Sequence, residues 1–217
     1  MNVHHLNHQN SILSRFIAEI RDADIQKDSL RFRRNLERIG EIIAYEISKT
    51  LVYEQIEIRT PLGIAELALP VKNPVIASIL RAGLPMHTGV LNVFDRSSSA
   101  FISAHRKHHK DNRFEIALEQ VTAPDLNDEI VILCDPMIAT GASVVVACKA
   151  LMTKGTPKHI HIACAIASTE GVNYIKARLP QSQVSIWCAA MDEELTAQAY
   201  IVPGLGDAGD LAFGEKL

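Results

Sequence analysis

No stretch of this chain has the length and apolarity of a membrane span, and the N-terminus carries no apolar run of signal-peptide length. A cytoplasmic protein without a membrane partner is therefore expected. Cysteine is scarce. Cys134, Cys148, Cys164 and Cys188 are widely spaced in apolar patterns with no Cys-x-x-Cys pair, so they read as buried thiols in a reducing compartment rather than a disulfide framework. Aromatic residues make up only 5% of the chain, which makes Tyr174, Trp187 and Tyr200 core or pocket-wall residues and not a stacking platform for bases. Nor is there an excess of positive charge. A net charge of −3 and a pI near 6.3 argue against a general nucleic-acid binder, although local basic loops can still hold an anionic substrate.

What the chain has is alternation. With 217 residues, 47% hydrophobic and 22% charged, the simplest count is one α/β domain over residues 1–217 with a sizeable core and no second domain. Strand-like runs at 75–80, 100–104, 114–121, 130–134, 159–166 and 184–188 are interleaved with helical patterns from about 86, at 143–154 and at 170–178. This is the βαβ signature of a central, mostly parallel sheet flanked by helices. Residues 1–10 contain His4, His5 and His8 among Asn and Gln, with no carboxylate or cysteine at ligand spacing, and read as a disordered terminus. A short helix over 12–20 is broken at Arg21-Asp22-Ala23-Asp24, and Asp28 or Ser29 can cap a longer one. Its stripe of Phe32, Leu36, Ile39, Ile43 and Ile47 must be covered, by the domain or by a partner subunit. Residues 56–59 and 64–69, joined by Thr60-Pro61-Leu62-Gly63, predict a β-hairpin ending at Pro70.

The chemistry centres on Val131-Ile132-Leu133-Cys134-Asp135-Pro136-Met137-Ile138-Ala139-Thr140-Gly141-Ala142-Ser143. An unbroken apolar strand runs through small residues into a helix, whose free N–H groups and dipole favour an anion. No Lys follows Gly141, which excludes a Walker loop and its nucleoside triphosphate clamp. Thr140 and Ser143 offer hydroxyls, Gly141 and Ala142 let the backbone approach an oxyanion, and Asp135 can accept hydrogen bonds from sugar hydroxyls. A sugar phosphate satisfies both ends, while an ordinary strand-to-helix turn with Ser143 as N-cap fits the same spacing. Arg81, at a strand's carboxyl end beside Gly83, is placed for a ligand or for a surface ion pair. His105 to Arg113 is a basic stretch that reads either as a loop closing over an anion or as a solvated charge run. The segment 201–214, with Pro203 and four glycines, reads as a shaped loop without a regular element.

Three of these segments carry a resemblance. Asp135 to Ser143 resembles the phosphoribosyl-diphosphate (PRPP) motif of type I phosphoribosyltransferases, and its Asp135-Pro136, where most of that family carry paired acids, is similar to the uracil phosphoribosyltransferase version. Ser78-Ile79-Leu80-Arg81-Ala82-Gly83-Leu84-Pro85-Met86 resembles that family's pyrophosphate loop, and Tyr200-Ile201-Val202-Pro203-Gly204-Leu205-Gly206-Asp207-Ala208-Gly209-Asp210 its uracil-binding segment. The resemblance implies a type I phosphoribosyltransferase-like fold with a β-hairpin arm and a C-terminal base-binding region, and the reaction of uracil with PRPP to give UMP and pyrophosphate in pyrimidine salvage. It implies that Thr140, Gly141, Ala142 and Ser143 take the 5-phosphate, and that Asp135 meets the ribose hydroxyls, with Pro136, Met137, Ile138 and Ala139 completing the PRPP loop. Arg81 and Arg106 would hold pyrophosphate, and Asp207 would help place the ribose or its ion. Backbone groups of Ile201, Gly206, Asp207 and Ala208 would read uracil. Asp135 and Arg81 are the implied transition-state stabilisers, and no side chain stands out as a general base. Mg²⁺ is expected to arrive with PRPP, held by water and substrate oxygens with no side-chain ligand. A homodimer or higher homo-oligomer is expected, and GTP is a possible effector. Where the family has Arg-Asn-Glu-Glu-Thr this chain keeps Arg106 and loses the acidic pair, and Leu211 stands where a basic residue is common. The alternatives are a phosphoribosyltransferase for another nucleobase, or a non-catalytic regulator of the same fold that senses nucleotides or binds RNA.

Overall fold

The computed structural model describes residues 1–108 and 114–215. The chain opens with β1 (Val3–His5), α1 (Leu13–Arg21) and α2 (Ser29–Ser48), followed by β2 (Tyr53–Thr60) and β3 (Gly63–Pro70). Next come β4 (Val75–Leu80), α3 (Leu84–Val93), β5 (Ser99–His108), β6 (Phe114–Thr122), β7 (Ile130–Cys134), β8 (Met137–Ile138) and α4 (Ala142–Met152). The rest is β9 (His159–Ser168), α5 (Thr169–Arg178), β10 (Val184–Asp192), β11 (Glu194–Leu195), β12 (Ile201–Val202) and α6 (Ala208–Phe213). The main sheet has the order β1-β10-β9-β7-β4-β5-β6, with β8 continuing the pairing on β9. Every pair in it is parallel except β5 with β6. Strands β7, β9 and β10 are almost continuously buried because helices cover both faces, as a parallel sheet requires.

The stripe on α2 falls on the domain's own core. Asp28 starts the helix by accepting from the Leu30 and Arg31 amides, which satisfies two donors that would otherwise lack partners. Phe32, Leu36, Ile39, Ile43 and Ile47 then pack with Leu13 and Ile17 of α1, Met86 and Val90 of α3, and Ile76, Ile132 and Trp187 of the sheet. On the opposite face Val144, Val145, Cys148 and Leu151 of α4 and Val172 and Ile175 of α5 cover Ile79, Val131, Leu133, Ile162 and Ile186. All four thiols are buried, and burial pushes Cys148 up to about 12. The predicted hairpin forms as β2 and β3, with Thr60 opposite Gly63 and Pro61-Leu62 at the tip. It projects with Leu62, Ile64 and Leu67 exposed.

Three sequence expectations are corrected. Residues 1–10 are not a disordered tail: Val3, His4 and His5 pair with Ile186, Trp187 and Cys188 as an edge strand. The polar composition hides this, because the strand is held by ladder hydrogen bonds and by the His4 ring stacked on Trp187, 3.7 Å between centroids. The basic stretch after residue 104 is not wholly loop, since β5 continues to His108 opposite Phe114, and residues 109–113 of it lie outside the described residues. In the C-terminal segment a regular element does form, because Asp207 accepts from the Gly209 and Asp210 amides and starts α6.

The contacts beneath β1 predict a pH dependence of stability. The Trp187 indole N–H lies 3.1 Å from His161 Nδ1 and 3.2 Å from Ser185 Oγ, so His161 serves it as an acceptor and a protonated ring would oppose donor to donor. Burial pushes His161 down to about 3, with His159 and His4 adding to the effect, and burial lowers His4 and His159 as well. A folded pKa below the ordinary 6.5 means that the contribution is complete above that pH and is lost as pH falls through 6.5 towards 3. By about pH 5, His161 alone should remove about 2 kcal/mol. Urea midpoints measured at neutral and at mildly acidic pH test this, and equal midpoints would contradict it.

Candidate active site

The site lies where the winding of the sheet reverses. From β4 the chain crosses through α3 on one face to β5, whereas from β7 and β8 it crosses through α4 on the other face to β9. Between the adjacent strands β4 and β7 the two connections diverge, leaving a crevice at the strands' carboxyl ends, the usual ligand position in open α/β sheets. The connections from β4 to α3 and from β7 to α4 are 81–83 and 135–141, the second containing the short β8, and they are the two that sequence reasoning singled out.

The first loop is tight. The Leu80–Arg81 peptide is cis, and a Cβ on Gly83 would meet the Cys134 carbonyl at 2.5 Å and the Ile79 carbonyl at 2.8 Å. Any larger residue would push this loop away from β7. Arg81, partly exposed, reaches across to the C-terminal segment: its Nη2 lies 3.4 Å from Asp210 Oδ1 and donates to the Gly214 carbonyl at 3.2 Å. Two of the three segments are thereby tied directly together.

The second loop keeps its pairing while it turns. The Asp135 amide donates to the Ala163 carbonyl, and the Pro136 carbonyl accepts from the Ala165 and Ile166 amides. Met137 and Ile138 then rejoin the ladder as β8. Pro136, Ile138 and Ala139 are buried, whereas Asp135, Met137, Thr140, Ala142 and Ser143 are half-exposed. The buried members shape the loop and the others line its open side. Gly141 is the N-cap of α4, at φ +76°, and a Cβ there would lie 2.6 Å from the Gly171 carbonyl. The left-handed conformation and the close approach to α5 both demand glycine. Ser168 locks the arrangement, donating to the Ala139 carbonyl and accepting from the Gly171 amide. Ser143 is thus in the first turn of α4 rather than at its cap, and the Ala142 amide points towards Thr140 Oγ1 at 3.4 Å.

The third segment follows β12. Ile201, Gly204, Leu205 and Ala208 are buried, Gly206 is exposed and Asp207 half-exposed. Asp207 Oδ1 is engaged by two amides of α6, and Arg33 from α2 donates to the Ala212 carbonyl at its far end. Arg106 stands in β5 opposite Ile116. Leu211 packs against the core, so it acts as an apolar anchor for α6. Sequence reasoning missed Arg21, Asp192 and Arg33, which fix this segment from distant positions and carry no local signal. Among the described residues no three His, Cys, Asp or Glu side chains gather to hold a metal.

A sheet of this order, with an anion-type loop at its reversal and a second loop facing it, defines the type I phosphoribosyltransferases. A hypoxanthine phosphoribosyltransferase from Staphylococcus aureus shares the fold at a TM-score of 0.51 and 11% identity, over 75% of this chain and 76% of that one. A solved structure of an Aquifex aeolicus protein superposes at a TM-score of 0.85 with 28% identity, over 98% of each chain. The chain belongs to the uracil phosphoribosyltransferase family, whose family model matches residues 7–215. A uracil phosphoribosyltransferase from Porphyromonas gingivalis is 53% identical over 217 residues, all of both chains. One from Pyrococcus furiosus is 38% identical over 204 residues, 93% of this chain and 85% of that protein.

Proposed function

We propose that the chain transfers the 5-phosphoribosyl group of PRPP to N1 of uracil, giving UMP and releasing pyrophosphate, in pyrimidine salvage. The observation that carries this reading is the convergence of the Arg81, Asp135–Ser143 and Gly204–Gly214 segments at the reversal of the sheet, in a chain of this family. The C1–O bond to pyrophosphate breaks as the bond from uracil N1 forms, through an oxocarbenium-like sugar, and the N1 proton leaves to solvent or to the departing pyrophosphate. The enzyme's task is then to stabilise the departing charge and to hold the base in line.

In this reading Thr140 to Ser143 bind the 5-phosphate with hydroxyls and backbone amides, and Asp135 accepts from the ribose hydroxyls. Arg81 and Arg106 hold pyrophosphate, Arg81 exchanging its contacts with Asp210 and Gly214 for phosphate oxygens. Ile201, Gly206, Asp207 and Ala208 present backbone groups to uracil O2, N3–H and O4, and Asp207 helps place the ribose or its ion. Cytosine would set its amino donor against a donor, a buried mismatch that discriminates strongly. Mg²⁺ fits as a companion of PRPP. The ion would rest mainly on substrate oxygens and water, with Asp135 the nearest carboxylate of the PRPP loop, and would supply charge neutralisation at pyrophosphate.

The assembly we propose is a homodimer or larger, with the apolar hairpin arm of Leu62, Ile64 and Leu67 covered by a second copy, in the cytoplasm. No helix among the described residues is long and apolar enough to cross a membrane.

UMP formation from uracil, PRPP and Mg²⁺ tests the reading, with orotate, hypoxanthine and cytosine as competing bases. The wild-type chain is expected to turn over uracil fastest, and Asp135→Ala to lower kcat/KM by about a hundredfold through loss of ribose alignment. Faster turnover of another base would overturn it.

A further inference from the structure

The candidate base-reading atoms belong to the backbone, and no rotamer can place a backbone atom. Something must hold the chain itself. At Gly204, between Ile201 and Gly206, both main-chain polar atoms are taken by one ion pair. The Gly204 amide donates to Asp192 Oδ2 at 3.0 Å, and Arg21 Nη1 donates to the Gly204 carbonyl at 3.1 Å. Arg21 also grips Asp192 with both guanidinium nitrogens, Nη1 to Oδ2 and Nη2 to Oδ1, each at 2.8 Å. The Asp192 side chain is 7% exposed and that of Arg21 22%, so solvent competes little with these contacts. Gly204 itself has no room for a side chain: at φ +55°, a Cβ would lie 2.1 Å from the Ile201 carbonyl.

Each partner comes from a rigid element. Asp192 is the last residue of β10, in register with Ser168 at the end of β9, and Ser168 in turn holds Ala139 in the phosphate loop. Arg21 is the last residue of α1. The ion pair therefore references the base segment to the same strand ends that carry the PRPP loop. A forked, charge-assisted pair has little angular freedom, and reading groups must be held within about 0.5 Å of the productive geometry to work.

We propose that Arg21 and Asp192 are positioning residues for uracil, setting the distance between the base-reading backbone and the PRPP loop without touching either substrate. This rests on the uracil reading above. Steady-state kinetics of Asp192→Asn, Arg21→Gln and Arg21→Lys, with PRPP affinity measured separately in the absence of uracil, provides the test. Asn at 192 keeps an oxygen for the Gly204 amide but loses the forked ion pair. Gln at 21 cannot bridge Asp192 and Gly204 together. Each should raise KM for uracil by about tenfold or more while PRPP affinity changes by less than about twofold, because a displacement near 1 Å costs up to about a hundredfold. Arg21→Lys, which keeps charge and most of the volume, should recover part of the loss and remains readable if the other variants fail to fold. Uracil KM unchanged in all three, or equal loss of uracil and PRPP binding, overturns the positioning role. A wild-type chain that does not use uracil overturns the reading itself, and the proposal with it.

Discussion

Arg81→Ala should lower kcat by about a hundredfold to a thousandfold, the range seen when one preorganised charge-stabilising group is removed. The side chain is 40% exposed, and its contacts with Asp210 and the Gly214 carbonyl lie at 3.4 and 3.2 Å. It can therefore leave them for a more highly charged partner, and its loss should cost the fold little. The effect should concentrate in the step where pyrophosphate takes up charge, so kcat should fall more than PRPP affinity does. Arg81→Lys should restore only part of the rate, because an ammonium lacks the fork that matches two phosphate oxygens. Steady-state and single-turnover rates, with a thermal melt of each variant, decide the matter. A drop smaller than about threefold in Arg81→Ala would remove Arg81 from the reaction, given what such groups contribute elsewhere.

The second large effect is expected far from the substrate. Helices α2 and α3 cross so closely that a Cβ on Gly89 would stand 2.0 Å from the Glu37 carbonyl, and one on Gly40 would stand 2.6 Å from that of Met86. The obstacles are backbone atoms, which cannot rotate away. Gly89→Ala must therefore separate the helices and loosen the packing of Ile39 and Ile43 against Met86 and Val90. A loss of about 3 kcal/mol is expected, at the upper end of overpacking costs. For a chain of this size that is about 10 °C in Tm. Because Gly83 caps the N-terminus of α3, the displacement should also carry the Arg81 loop with it and reduce turnover even below the melting transition. A Tm within about 2 °C of the wild type would show that the crossing is more compliant than the contact implies.

Much of this architecture can be read from residue pattern alone. The runs 75–80 and 130–134 coincide with β4 and β7, because a strand buried on both faces leaves an almost wholly apolar signature, interrupted only by Ser78 and bounded by Arg81 and Asp135. The loops that follow are legible for the opposite reason, their density of small residues. Residues 208–213 mislead through Gly209, since a helix this short tolerates glycine when Asp207 caps it and Ala208 and Ala212 are buried. An Asp two and three residues before the amides it caps was the signal available. Residues 3–5 mislead because an edge strand needs only ladder bonds on one side and a partner for His4. The Arg21–Asp192 pair leaves no trace at all: its members are 171 positions apart, and only folding brings them together.

The short strand β1 also has a bearing on solubility. It occupies the outer ladder of β10, whose Ile186, Trp187 and Cys188 would otherwise offer an open, apolar, hydrogen-bond-hungry border to other molecules. Its hold depends partly on His4 lying over Trp187, and charging that imidazole is disfavoured in the folded state. Acid would then weaken this guard and bare the border, so that molecules join border to border. Loss of this protein on acidification should accordingly proceed through precipitation more readily than through clean, reversible unfolding.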